Sequence, residues 1–372
     1  MERIYFDWAA AAIPSIDLLQ CSDDVIPFGN PSSKHAEGRS ALKALEAARA
    51  SCAHSLNVSP DTIYFTSGGT ESNAIVLNSP KDNIVTAKTE HPSIFENCLQ
   101  LQKNNFTLKF LSLNNCGAAS EESLKKVLSK IEKRTFVTLM SVNNETGTIS
   151  DIPHLVKVCR ESGKRVFFHT DIVQSAGKIH VDLTEWDVDA ATLSAHKIGG
   201  PRGIGILYLK KPIAQLYRGG GQEQGMRSGT QNVAGAIAMS KCLLKMTDHL
   251  DENLQAAHRR MSYLIENLIK LERVAIIPQS RQNSSRFSPY ILQTALKNIP
   301  AEVTQRLLDD AGFAVSTGSA CSSGSGKRPV LSAMGIDDKT AFEGIRISQG
   351  WSSTDDHIEK LLCAIKNILK KY

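Results

Sequence analysis

The chain has 372 residues, of which 41% are hydrophobic and 22% are charged, and its formal net charge is +5. Because the lysines and arginines are interspersed with acidic residues instead of forming blocks, the charge does not indicate a nucleic-acid-binding protein. No apolar run reaches the roughly 18 residues of a membrane-spanning helix, and the first segment, "MERIYFDWAA", does not resemble a signal peptide. We therefore expect a cytoplasmic protein with one large domain and a smaller companion, and no membrane or direct nucleic-acid partner.

Apolar runs of strand length alternate with amphipathic helical stretches between about residues 60 and 210. The strand-like runs are "NIVTA", "LKFLSL", "TFVTLMSV", "RVFFHTD", "AATLSAH" and "GIGILYL". The helical stretches are "SIFENCLQLQKN", "EESLKKVLSKIE" and "IPHLVKVCRES". This alternation predicts an α/β fold with a large, doubly wound and mainly parallel sheet, whose ligands bind at the carboxyl ends of the strands.

The second part of the chain has a different pattern. A segment from "GTQNVAG" to "NLIKLE" has the periodicity of one or two long helices. After it come short strands, a helix "AEVTQRLLDDA", a Gly- and Ser-rich stretch, and a last helix opened by "SSTDD", which together indicate a smaller α+β domain. We predict a large domain over residues 12–255 and a small domain formed by residues 1–11 and 256–372, with a mobile loop at about residues 317–329.

Polar residues follow several of the predicted strands. In "FTSGGTESNA" the Gly68–Gly69 turn and Thr70 open a helix whose free N–H groups can hold a phosphate, although an ordinary strand-to-helix connection is equally compatible with the pattern. In "TEHPSI", His91 is placed to stack on a flat ring and to exchange protons, or it is structural.

The next two strand ends add amides and a carboxylate. "VNNETG" offers Asn143 and Asn144, and "TDIVQSAG" offers Asp171 and Gln174. Asp171 either pairs with a protonated pyridine nitrogen or caps a helix, and Gln174 then reaches the phenolic oxygen of the ring.

Lys197 stands in "ATLSAHKIGGPRGIGILYL", an otherwise uncharged run of small and apolar residues. A desolvated lysine forms Schiff bases with aldehydes, whereas a lysine at a strand end extends its ammonium to water. Ser194 and His196 add two phosphate donors beside it. Phosphate donors, a stacking imidazole, an acid for a ring nitrogen and an amine for an aldehyde together describe a site for pyridoxal 5'-phosphate.

The eight cysteines include no pair with CxxC spacing, so we expect no metal site. Seven of them suit buried positions in a cytosolic protein. Cys321 differs, because "STGSACSSGSGKRP" is polar and rich in glycine and serine. We expect its thiol to be exposed and mobile.

The sequence as a whole resembles the cysteine desulfurases, pyridoxal-phosphate enzymes of the class V aminotransferase group with the type I fold. The resemblance runs from about residue 4 to 360 and rests on motifs in the family's order: "NPSSKHAEGR", "SGGTESNA", "TEHPSI", "VNNETGT", "TDIVQSAGK", "LSAHKIGGPRGIGILYL", "GGGQEQGMRSGT", "STGSACSS" and "RISQG".

The resemblance implies a role for each matching residue. The cofactor is held by Gly69, Thr70, His91, Asn144, Asp171, Gln174, Ser194, His196, Lys197 and Thr230. Thr230 reaches the neighbouring subunit, which implies a homodimer. Asn144 and Arg346 bind the substrate carboxylate, and Lys197, Cys321 and His91 are catalytic.

The implied reaction converts L-cysteine to L-alanine and leaves the sulfur on Cys321 as a persulfide, for a sulfur acceptor or iron–sulfur scaffold protein in cluster assembly or tRNA thiolation. The alternatives are a selenocysteine lyase, another class V lyase or aminotransferase, and a non-catalytic scaffold for sulfur-transfer partners. Two segments depart from the family pattern. "DWAAAAIPS" replaces the usual "D-x-A-A-T-T", and "GGGQEQGMRSGT" has glutamines where many relatives have histidine and arginine.

Overall fold

The computed structural model describes residues 3–16, 27–79, 81–216, 218–283, 285–318 and 328–372. In chain order the strands are β1 (Ile4–Tyr5), β2 (Ile63–Thr66), β3 (Asn83–Thr86), β4 (Thr107–Phe110), β5 (Thr135–Thr138), β6 (Val166–Asp171), β7 (Ala190–Ser194), β8 (Gly205–Leu209), β9 (Val274–Ile277), β10 (Ile291–Leu296), β11 (Phe313–Ala314) and β12 (Gly344–Ser348).

The helices begin and end close to the capping and breaking residues in the sequence. They are α1 (Ala36–Ser55), α2 (Gly69–Val76), α3 (Pro92–Lys103), α4 (Glu121–Leu128), α5 (Ile152–Glu161), α6 (Val233–Asp248), α7 (Leu250–Leu268), α8 (Ala301–Asp310), α9 (Pro329–Ala333), α10 (Asp338–Glu343) and α11 (Asp355–Lys371). The segment "SSTDD" opens α11 as predicted: Thr354 caps the helix, and its side chain accepts a hydrogen bond from the backbone N–H of His357. Of the described helices, none is long and apolar enough to cross a membrane.

A seven-stranded sheet in the order β2-β8-β7-β6-β5-β3-β4 forms the centre of the larger part. Within it β3, β4, β5, β6 and β7 pair in parallel, while β8 is antiparallel to both of its neighbours, β2 and β7. Six strands therefore point in one direction, and their carboxyl ends meet at one edge. The predicted α/β fold with a mainly parallel sheet is confirmed.

The packing of β8 against the turn before α2 depends on two glycines. A Cβ atom on Gly205 would lie 2.6 Å from the Cα of Gly68, a distance too short for any side chain. Gly68 itself has a φ of +148°, which L-amino acids with side chains rarely adopt. The close approach brings the start of α2 beside the end of β7.

The smaller part is built around a three-stranded antiparallel sheet in the order β12-β10-β9. β1 pairs in parallel with β11, so the N-terminal segment joins this part of the molecule. A second apolar core here includes Leu264, Ile345 and Leu361. The predicted long helical segment is two helices, α6 and α7, and the predicted boundary at residue 255 lies inside α7.

Candidate active site

One pocket of about 280 Å³ lies at the edge where the strands of the large sheet end. It is lined by every predicted site residue that the structure describes, except Thr230. These residues are Gly69, Thr70, His91, Asn144, Asp171, Gln174, Ser194, His196, Lys197 and Arg346. They come from segments distant in sequence: Arg346 lies on β12 of the small sheet, and the others lie at or after strand ends of the large sheet.

One end of the pocket has the donors that a phosphate requires. The backbone N–H groups of Gly69 and Thr70 lie in the first turn of α2, where no preceding turn supplies acceptors. Ser194 Oγ lies 2.8 Å from Nδ1 of His196. Burial lowers the pKa of His196 to about 4, so this ring is neutral at pH 7. The His196 ring can therefore offer a phosphate a hydrogen bond but no positive charge.

Asp171 ends β6 and lines the same pocket. Its Oδ1 accepts a hydrogen bond from the backbone N–H of Val173 at 3.0 Å, and its Oδ2 accepts one from Nδ2 of Asn73 at 3.1 Å. No helix begins at Asp171, so this residue does not cap a helix, and its contact with Val173 lies in a turn. A carboxylate held in this way suits a protonated ring nitrogen.

Lys197 ends a short 3₁₀ turn, Ala195–Lys197, between β7 and β8. Its Nζ donates hydrogen bonds to the backbone oxygens of Ala9 and Ala10, both at 2.7 Å. The side chain lines the pocket, so the ammonium is held by main-chain oxygens inside it instead of extending to open solvent.

Gln174 is oriented by a lysine that the sequence analysis did not select. Lys178 is buried, and its Nζ donates to Oε1 of Gln174 at 3.0 Å, while Nε2 of Gln174 donates to the backbone oxygen of Ala9 at 2.8 Å. Burial, followed by the charges of Lys197 and Arg346, lowers the pKa of Lys178 to about 7. Because the backbone oxygen of Ala9 can only accept, it holds the amide nitrogen of Gln174 on its side and leaves Oε1 facing Lys178.

Arg346 is 2% exposed and lies on β12. Its Nη1 donates to the backbone oxygen of Asn144 at 2.9 Å and its Nη2 to Oδ1 of Asp7 at 2.7 Å, but its buried Nε has no partner among the described residues. The side chain of Asn143 accepts hydrogen bonds from the backbone N–H groups that follow, which folds the turn and leaves Asn144 to line the pocket. The guanidinium of Arg346 can bind a substrate carboxylate.

A family model described as aminotransferase class-V matches residues 4–361. A cysteine desulfurase IscS from Dictyoglomus turgidum is 35% identical over 381 residues, which cover 99% of this chain and 95% of the relative. The chain belongs to the cysteine desulfurase family of class-V aminotransferases. A cysteine desulfurase IscS from Clostridium botulinum is 33% identical over 391 residues, which cover 100% of this chain and 95% of that protein.

Solved structures have the same fold. A NifS-like protein superposes with a TM-score of 0.90 at 32% identity, with complete coverage of both chains. A structure described as SspA in complex with cysteine superposes with a TM-score of 0.78 at 28% identity, covering 94% of this chain and 100% of that one. The protein is thus an enzyme of a family that is pyridoxal-phosphate-dependent in general.

The pocket of this cysteine desulfurase family member fits that cofactor by the chemistry of its donors and acceptors. Its lining combines N–H and hydroxyl donors with the carboxylate of Asp171, the amide of Gln174 and the amine of Lys197. The buried Nε of Arg346 has no acceptor among the described residues, which suits a guanidinium that binds an anionic substrate. Among the described residues, no group of three His, Cys, Asp or Glu side chains is arranged to hold a metal ion.

The segment "GGGQEQGMRSGT" is fixed to the large part by buried charges. Glu223 accepts hydrogen bonds from both Nη atoms of Arg49, at 2.7 and 2.9 Å, and from the backbone N–H of Phe65 at 2.7 Å. Arg227 contacts Glu71 in the first turn of α2 at 3.2 Å. Thr230, at the end of the segment, is exposed and does not line the pocket of its own chain.

Cys321 and the predicted mobile loop around it lie largely outside the described residues, as does Cys21. Five of the remaining cysteines are buried, as predicted: Cys52, Cys98, Cys116, Cys159 and Cys242. The prediction is wrong for Cys363, which is exposed on α11 because its side chain lies on the solvent side of that helix.

Several pocket residues carry no sequence signal that points to them. Asn73 lies in the second turn of α2 and Ser93 in the first turn of α3, and the two side chains meet only in the folded protein. The carbonyls of Ala9 and Ala10 are main-chain groups, which side-chain patterns do not reveal. Lys178 had one signal, since it is a lysine four residues after Gln174 in a segment of small residues.

Proposed function

We propose that this protein converts L-cysteine to L-alanine with pyridoxal 5'-phosphate in the pocket described above, and transfers the sulfur to Cys321. The observation that carries the proposal is the convergence on one pocket of an amine, a carboxylate and a guanidinium, those of Lys197, Asp171 and Arg346. Relatives of about one-third identity over the full chain bear the name of this activity.

The residues have distinct tasks in this reaction. Gly69, Thr70, Ser194 and His196 would hold the phosphate, Asp171 the ring nitrogen, and Gln174 the phenolic oxygen. When bound, pyridoxal phosphate supplies an aldehyde that combines with amines and a ring that takes up electrons from the substrate carbon.

Substrate cysteine is oriented through its carboxylate, which meets the guanidinium of Arg346 beside Asn144. The amine of Lys197 removes the α-proton. The thiolate of Cys321 then attacks the sulfur of the substrate, a sulfur–sulfur bond forms, and the sulfur–carbon bond breaks. Its electron pair stays with the carbon fragment, which takes up one proton at Cβ and regains one at Cα before it leaves as alanine. Cys321 retains the sulfur as a persulfide.

The test compares Cys321→Ala with Cys363→Ala, an exposed cysteine far along the chain on α11. The Cys321 variant should retain the visible colour of the bound cofactor but release no alanine from cysteine, whereas the Cys363 variant should match the parent. Mass spectrometry after treatment with cysteine should find an added sulfur on Cys321 of the parent. Release of alanine by Cys321→Ala at the parent rate would instead indicate a lyase without a protein persulfide.

We further propose a cytoplasmic homodimer in which Thr230 of each chain completes the phosphate site of the other. The ion pairs of Glu223 and Arg227 support this, because they fix the base of the segment and leave Thr230 exposed. Mixing inactive Lys197→Ala and Thr230→Ala proteins should restore part of the activity, since some heterodimers then contain one intact site. Full activity of a monomer would exclude the arrangement. The sulfur would pass to an acceptor or iron–sulfur scaffold protein, which co-purification from the native cell would identify.

A further inference from the structure

A chain of hydrogen bonds runs along the wall of the pocket from Asp171 to His91. Nδ2 of Asn73 donates to Oδ2 of Asp171 at 3.1 Å and to Oγ of Ser93 at 2.8 Å. Oγ of Ser93 lies 2.8 Å from Nδ1 of His91, and the backbone N–H of Ser93 also donates to Nδ1, at 3.2 Å. Asn73 is 1% and Ser93 8% exposed, so solvent has little access to these contacts.

The direction of each hydrogen bond follows from which groups can only donate or only accept. The carboxylate of Asp171 only accepts, which turns the NH₂ group of Asn73 toward it. That NH₂ group occupies a lone pair of the Ser93 hydroxyl, whose own proton is then available to His91. The backbone N–H of Ser93 can only donate, so Nδ1 of His91 must be an acceptor and carry no proton.

We propose that Ser93 and Asn73 are positioning residues that hold His91 in the tautomer with its proton on Nε2, so that the ring presents a hydrogen-bond donor to the pocket. His91 caps α3 through the same Nδ1 contact, which fixes the ring orientation as well as the proton. None of the described residues accepts a hydrogen bond from Nε2, and His91 lines the pocket.

The surroundings of His91 keep the ring neutral. Burial lowers its pKa, the charge of Lys197 acts in the same direction, and Asp171 opposes both. His196 is a further titratable group that interacts with it, and it too is neutral at pH 7. A neutral ring with its proton on Nε2 donates at that atom and cannot accept there. This assigns the acceptance of the α-proton to Lys197 and leaves His91 to donate to the substrate, a consequence that rests on the proposed function.

The tautomer is measurable without turnover. Full-length protein labelled with ¹⁵N-histidine would be examined by two-bond ¹H–¹⁵N correlation NMR, and the signals of His91 would be identified among the ten histidines by their loss in His91→Gln. We expect Nδ1 of His91 to be unprotonated and Nε2 to be protonated at neutral pH. A proton on Nδ1, or a charged ring, would overturn the proposal.

Three variants distinguish a specific role of the Ser93 hydroxyl from a general loss of stability. Ser93→Ala removes one donor to Nδ1, which should lower kcat about fivefold, shift the ¹⁵N signal of Nδ1 and raise the pKa of His91, because the lost hydrogen bond favoured the neutral ring. Ser93→Thr keeps the hydroxyl and should retain the parent values. Ser240→Ala is the matched control, since Ser240 is a buried helical serine on α6 away from the pocket.

The two kinds of failure are distinguishable. Unchanged kcat, ¹⁵N shifts and His91 pKa in Ser93→Ala would refute the role of Ser93. A parent protein that releases no alanine from cysteine, but shows the predicted tautomer, would refute the proposed function and leave the tautomer established.

Discussion

Replacing Lys178 by methionine should change how the stability of the protein depends on pH. Lys178 is buried beside Gln174, and its pKa is lowered to about 7 from the 10.5 of an exposed lysine. Between these values the unfolded chain binds a proton that the folded chain lacks, so the free energy of unfolding rises with pH. One proton corresponds to about 1.4 kcal/mol per pH unit.

From these values we expect the stability of the parent to increase, relative to Lys178→Met, by about 2.5 kcal/mol between pH 7.5 and 9.5. Below about pH 7 the difference should become constant, because Lys178 is then protonated in both the folded and unfolded states. Methionine also removes the hydrogen bond to Gln174, but that loss of about 1 kcal/mol does not vary over this pH range.

The assay is urea unfolding of both proteins at fixed protein concentration and at several pH values. Lys157→Met is the matched control, because Lys157 is an exposed lysine on α5 and its replacement should give a curve parallel to that of the parent. Parallel curves for the parent and Lys178→Met would show that Lys178 is not held as a neutral amine, and would refute the reasoning.

Three other changes have expected outcomes. Arg49→Met should lower the free energy of unfolding by about 3–5 kcal/mol in urea titrations, since it leaves Glu223 buried without its cation. The double variant Arg49→Met with Glu223→Leu should recover most of this loss. Equal losses of stability in the single and double variants would contradict the prediction. Burial raises the pKa of Glu90 well above its usual value, so the folded protein binds a proton that the unfolded chain loses. Glu90→Gln should therefore gain stability relative to the parent as the pH rises above about 4.5. A stability difference between the two proteins that does not change with pH would refute this prediction. Borohydride treatment of the holoenzyme should attach the cofactor to Lys197 and Lys197→Ala should remain unlabelled, whereas a peptide labelled at another lysine would reject the assignment.

The sequence was sufficient to predict the runs that form β3 to β8, because these runs are short and apolar and are bounded by amphipathic helices or by polar and glycine-rich turns. It also contained the reason why β8 runs against its neighbours. Only residues 195–204 separate β7 from β8, which is fewer than the dozen or more residues that a parallel crossover requires. We predicted a mainly parallel sheet without drawing that conclusion. The helix α1 was not predicted, and residues 17–26 before it lie outside the described parts.

The pocket residues likewise differ in whether the sequence alone could predict them. Residues at strand ends, such as Asp171 and Lys197, follow visible strands and converge because the strands are parallel. The contacts of Asn73 with Ser93 and of Arg49 with Glu223 join positions 20 and 174 residues apart, respectively. No periodicity in the sequence indicates such pairs, so they can be identified only in the folded structure.

The hold on Lys197 by the oxygens of Ala9 and Ala10 has a consequence for how the N-terminal segment can vary. Main-chain oxygens are present whatever the side chain, so replacing either alanine by another small residue leaves both acceptors in place. The position of these oxygens is set instead by the number of residues that connect them to β1, which is anchored by its pairing with β11. Inserting or deleting one residue between Phe6 and Ala9 would move both acceptors along the chain, and we expect such length changes to be far less tolerated than the departure of "DWAAAAIPS" from the usual family sequence.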